Sequence, residues 1–190
     1  MSFFDDLPEA PAGLREPQPG RAEWSGPPSD ELPGIVTSGG FVLRGPNAVV
    51  ALKAVEVFST GCILDLVWSV RRSDEAGQDW RDVMERSFER PGLPGIMVGA
   101  ALPDGRKAFA GDPSMVEGIG PVLVPQEGSG SSAGDEQAVG HAQYWLWPLP
   151  AEGDLRIVAK WDDVGLAEGS VTVPAESLAR AREQVGKYWS

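Results

Sequence analysis

The chain holds one cysteine, Cys62, and one histidine, His141, among its 190 residues. A lone cysteine closes no internal disulfide, which excludes a disulfide-stapled secreted module. One His and one Cys, far apart in sequence, do not supply the three or four ligands of a zinc site. Serine and cysteine hydrolases pair a nucleophile with a base, usually histidine, and here there is a single histidine. Basic residues are scarce as well: 16 Lys and Arg face 28 Asp and Glu, a net charge of −12. So negative a surface repels phosphate backbones at long range, and nucleic-acid binding is not expected. No apolar run approaches the ~20 residues of a membrane helix. The opening MSFFDDLPEAPAG has neither a basic stretch nor an apolar run of seven, so no secretory leader is expected. These absences lead to an expectation of a cytoplasmic protein with no membrane partner and no cofactor.

Apolar residues make up 42% of the chain and include seven tryptophans, enough for a substantial core. Glycine (24) and proline (17) together exceed a fifth of the residues, which favours turns and short strands over long helices. The clearest pattern lies in Ala48–Arg72. Cys62, Leu64, Leu66, Trp68 and Val70 alternate with Ile63, Asp65, Val67, Ser69 and Arg71, and that period of two is a strand with its first set toward a core. Val49–Phe58 precedes it as a hairpin partner through Ser59-Thr60-Gly61. Lys53 and Glu56 have opposite parity, which a β-bulge near Lys53–Ala54 would reconcile.

Residues 1–34 hold seven prolines and seven acidic against two basic residues, with no apolar period. They read as a disordered acidic tail, in which Phe3, Phe4 and Trp24 are candidate docking residues for another protein. Residues 35–190 read as one domain. Within it, Trp80, Val83, Met84 and Phe88 recur at helical spacing, so a short amphipathic helix is expected over 73–90. Gly95–Leu102 reads as a strand followed by a tight turn at Pro103-Asp104-Gly105. Residues 125–140 read as a flexible Gly/Ser loop without a phosphate-binding fingerprint. His141–Pro150 and Asp154–Trp161 follow as a hairpin, the latter with Leu155, Ile157, Ala159 and Trp161 on one face. A last strand and a helix over about 174–189 close the chain, with Pro174 at a favoured start.

Many short strands separated by regular turn signals argue for a mainly β, antiparallel sandwich with one short inserted helix and a C-terminal helix. The segments GIMVGAALPDGRK (95–107), YWLWPLP (144–150), Gly153-Asp154-Leu155 and Trp161 resemble an uncharacterised family of small soluble proteins from high-GC Gram-positive bacteria. At fold level the chain resembles an immunoglobulin-like β-sandwich without the disulfide. Neither resemblance brings catalytic residues with it.

No catalytic, cofactor or metal residues are therefore assigned. Cys62 lies on the core face, and Asp162 and Asp163 lack a calcium-loop pattern. Trp145 and Trp147 share a face: pointing outward they form a platform for a sugar ring or other small ligand, and pointing inward they fill the core beside Trp68 and Trp161. The core reading is favoured, with Tyr144 and Leu146 then outward. The leading function is a non-enzymatic protein-interaction or structural domain. A small-ligand or carbohydrate-binding module is the alternative, and an enzyme using unrecognised carboxylates is the second.

Overall fold

The computed structural model describes residues 22–72, 95–111 and 120–189. A 3-10 turn at Glu23–Ser25 precedes strands β1 (Glu31–Leu32), β2 (Gly34–Arg44), β3 (Ala48–Val57) and β4 (Cys62–Arg71). Then come β5 (Met97–Ala101), β6 (Lys107–Phe109), β7 (Val122–Pro125), β8 (Gly130–Ala133) and β9 (Gln137–Trp147). Strands β10 (Leu155–Trp161) and β11 (Leu166–Val173), helix α1 (Ala175–Glu183) and β12 (Gly186–Lys187) complete the order. The helix expected over 73–90 lies outside the described residues.

The protein is mainly β, with open antiparallel sheets. The larger sheet runs β2-β3-β4-β9-β7, with β8 also on β9, and the smaller runs β11-β10-β5-β6. The expected immunoglobulin-like order is not the one present. That order sends the third strand to the opposite sheet, whereas β2, β3 and β4 lie side by side. The reason is local. Gly45 N–H donates to the Ala48 carbonyl and Phe58 N–H to the Gly61 carbonyl, each at 2.9 Å. Turns this tight return each strand beside its predecessor and leave no slack for a crossover.

Inner faces of both sheets share one apolar cluster. Val50, Leu52, Leu64, Leu66 and Trp68 come from the larger sheet, and Val98, Leu155, Ile157, Ala159 and Trp161 from the smaller. The indoles of Trp68 and Trp161 meet edge to face at 5.6 Å, an arrangement worth about 0.5–1.5 kcal/mol beyond area burial. The expected alternation of β4 and β10 therefore holds on their core sides. The bulge also holds: Leu52 pairs with Leu66 but Ala54 with Asp65, so Lys53 is the extra residue.

Four local expectations are corrected. Residues 22–34 are structured, not tail, because Glu31–Leu32 finds hydrogen-bond partners in β12. The 125–140 stretch carries β8 and the start of β9, since Gly and Ser accept strand geometry where a neighbour supplies the ladder. Strands β9 and β10 form no hairpin: β9 is already flanked by β4, β7 and β8, and β10 enters the smaller sheet between β5 and β11. The final helix stops at Glu183, because Gly186 and Lys187 are drawn into pairing with β1. Leu178 and Ala181 of α1 face the core, while Trp189 is exposed. Helix α1 sits so close to the chain at Gly34 that a Cβ there would meet the Ala181 carbonyl oxygen, so glycine is required.

One charged group is buried to hold these ends together. Glu31 is 3% exposed. Its carboxylate accepts the Ser59 N–H at 2.9 Å and the Ser59 hydroxyl at 2.7 Å, and Lys187 Nζ lies 3.0 Å away. Burial opposes the charge, but the two Ser59 bonds and Lys187 outweigh it and hold the carboxyl below its ordinary value. A lowered carboxyl pKa contributes stability that is complete above the ordinary carboxylate range and is lost as pH falls through it. Glu31→Gln should accordingly cost about 1–3 kcal/mol near neutral pH. In urea melts the gap to wild type should narrow as pH falls through and below the ordinary carboxylate range; a gap independent of pH would count against the clamp.

Candidate functional site

Strand parity sets the face of the larger sheet that turns away from the smaller one. On β4 it carries Ile63, Asp65, Val67 and Ser69, which pair with Trp145, Gln143, His141 and Val139 of β9. On β3, Val49 and Ala51 pair with Ser69 and Val67, and Phe41 of β2 pairs with Ala51.

One end of this face is closed. Phe58, Ile63 and Trp145 form a buried cluster separate from the main core, with Val124 and Trp147 packed against it. The Phe58 ring stands edge-on to Trp145 at 5.7 Å. Gly61 lies under the indole so tightly that a Cβ would come within 2.5 Å of its Cζ2. The Trp145 Nε1–H donates to the Glu23 carbonyl at 2.9 Å, the partner that a buried indole N–H needs. Trp24, in the same turn, is half-buried, while Phe3 and Phe4 lie outside the described residues.

The tryptophan pair is thereby placed. Trp145 is fully buried and Trp147 half-buried, so they do not make an exposed platform. Nor does Trp145 lie beside Trp68 and Trp161. Tyr144 and Leu146 take the main core, which parity forces once Trp145 faces outward. The cover for Trp145 comes from more than a hundred positions away in sequence, and no local pattern in the chain points to it.

The middle of the face is polar. Lys53, turned outward by the bulge, pairs with Asp65 at 3.2 Å. Burial, and next the charge of Asp65, push the Glu56 carboxyl above its ordinary value, with Lys53 offsetting part of the effect. Strand pairing brings Glu56 and Asp65 together. Among 28 acidic residues nothing local singles them out.

The other end is open. Phe41, Val49, Ala51, Val67, Val139 and His141 line a shallow groove of about 870 Å³. Phe41 and Val139 are 48% and 42% exposed, and the Arg44 guanidinium stands 4.7 Å over the Phe41 ring. His141 Nε2 lies 2.6 Å from the Gly128 carbonyl. Among the described residues, no hydroxyl or thiol hydrogen-bonds to it. Cys62 is in the main core, and burial pushes its thiol up to about 12. Asp162 is paired with Lys160 at 2.7 Å. Among the described residues no group of three or more His, Cys, Asp or Glu could hold a metal ion, and no helix is long and apolar enough to cross a membrane.

No family model, curated protein or solved structure matches this chain. The site therefore rests on its own geometry. Trp145→Ala should cost about 3–5 kcal/mol in urea denaturation, as expected for a large buried ring, and Trp147→Ala clearly less. A Trp145 loss near 0.5 kcal/mol, typical of a surface residue, would mean that the closed end of the face is not closed.

Proposed function

We propose that the chain is a cytoplasmic protein-interaction module, built as a two-sheet sandwich, that binds partners in the groove between Phe41 and Val139. The observation that carries this reading is the half-exposed apolar surface itself, contributed by four strands of one rigid sheet. Contiguous exposed apolar patches on soluble domains mark interaction sites. Arg44 and Lys53 lie at its rim, so a partner with apolar side chains next to acidic ones fits best. A second reading, an enzyme working through carboxylates, has one observation in its favour: the raised carboxyl of Glu56 beside Asp65. The family resemblance adds no site residue to either reading.

The test is a pull-down from native cytosol with wild type, Val139→Lys and Phe109→Lys. Phe109 is exposed on the smaller sheet and serves as the control for an apolar residue elsewhere. A partner should be held by wild type and Phe109→Lys and lost from Val139→Lys, with affinity reduced tenfold or more, about 1.4 kcal/mol. Loss only from Phe109→Lys would move the interface to the smaller sheet. Equal retention by all three would reject the groove.

A further inference from the structure

The groove occupies only one end of its face, and the other end is already covered by this chain's own N-terminal region. The Glu23–Ser25 turn lies against β9, with the Glu23 carbonyl on Trp145. The covered and open ends are close. From Ile63 to Val67 along β4 is about 13 Å, and from Trp145 to Val139 along β9 about 20 Å, at ~3.3 Å per residue.

Twenty-one residues precede Ala22. The 17 residues between Phe4 and Ala22 make 18 steps that reach about 60 Å or slightly more when extended, well beyond that span. This stretch carries Phe3-Phe4 followed at once by Asp5-Asp6. Two aromatic rings match the apolar floor of Val49, Ala51, Val67 and Val139. The two carboxylates match Arg44 and Lys53 at the rim, whose Lys53 side chain is 66% exposed despite its pairing with Asp65. A tethered segment meets its site at an effective concentration on the order of millimolar, so modest contacts suffice.

Resting on the reading of the groove as a docking surface, we propose that residues 1–21 fold back within the same molecule and seat Phe3 and Phe4 in it. A partner would then bind by displacing the chain's own segment, which acts as a competitive regulator of the site.

The test uses the full-length chain with a nitroxide on Ser2→Cys. Cys62 is fully buried with its thiol pushed up to about 12, so it stays unlabelled, and wild type is the labelling control. Paramagnetic broadening is expected at the amides of Ala51, Val67 and Val139 and should be lost on Phe3→Ala/Phe4→Ala. Broadening confined to the smaller sheet, or absent, overturns the proposal. So does equal broadening when isotope-labelled wild type is mixed with unlabelled spin-labelled chain, which assigns the groove to a second copy. Contacts from residues 73–94 to the groove without broadening from the tail overturn it as well. The pull-down variants report on partner binding with or without this contact, so failure here leaves the interaction reading to its own test.

Discussion

Both faces of β4 must find cover, and the rest of the structure answers to that constraint. The strand sits in the middle of the larger sheet between β3 and β9, and its first five residues are buried on both sides. On the inner side the smaller sheet provides the cover, with Trp68 against Trp161 at the contact. Among the described residues no second sheet lies on the outer side. The chain instead covers Ile63 and Trp145 with Phe58 and the Glu23–Ser25 turn, and leaves Val67 and its neighbours open. A single strand thus explains a two-sided core, a small second apolar cluster and an exposed groove.

The Ser59–Gly61 turn is where these parts are fastened together. Its glycine admits the Trp145 indole, and its serine holds the buried carboxylate of Glu31. Glu31 in turn faces Lys187 of β12, which also bonds Asp30 at 3.0 Å. A buried charge is costly unless hydrogen-bonded and paired, and this one is both. The clamp joins the N-terminal region, the β3–β4 hairpin and the C-terminal strand, and it keeps the residues that shield Trp145 in place. The clamp thus sits at the closed end of the face, while the described lining of the open end comes from the sheet.

The groove and the polar belt differ in what they offer a ligand. Val49, Ala51, Val67 and Val139 present flat, rigid apolar surface without a convergent set of polar groups. Asp65 and Glu56 present charge that is already engaged with Lys53, whose own side chain stays 66% exposed at the rim of the groove. Flat apolar surface favours a protein segment, which brings many weak contacts, over a small molecule, which needs enclosure.

Strand positions were legible from residue order because the period of two is a local property of the backbone. The alternation of β4 and β10, the bulge at Lys53 and the Pro103–Gly105 turn were all visible in this way. The shared parity of Trp145 and Trp147 was visible too, but not which side of β9 they take. That depends on β4, β7 and β8 fixing the register of β9 through hydrogen bonds to distant segments. The cover over Trp145, the Glu31 clamp and the Glu56–Asp65 neighbours are likewise contacts between positions far apart in sequence. By itself the sequence determined a mainly β, acidic chain with strands of known parity. Only the tertiary structure decided which faces are buried and which stay open, because burial depends on what the rest of the chain brings to each face.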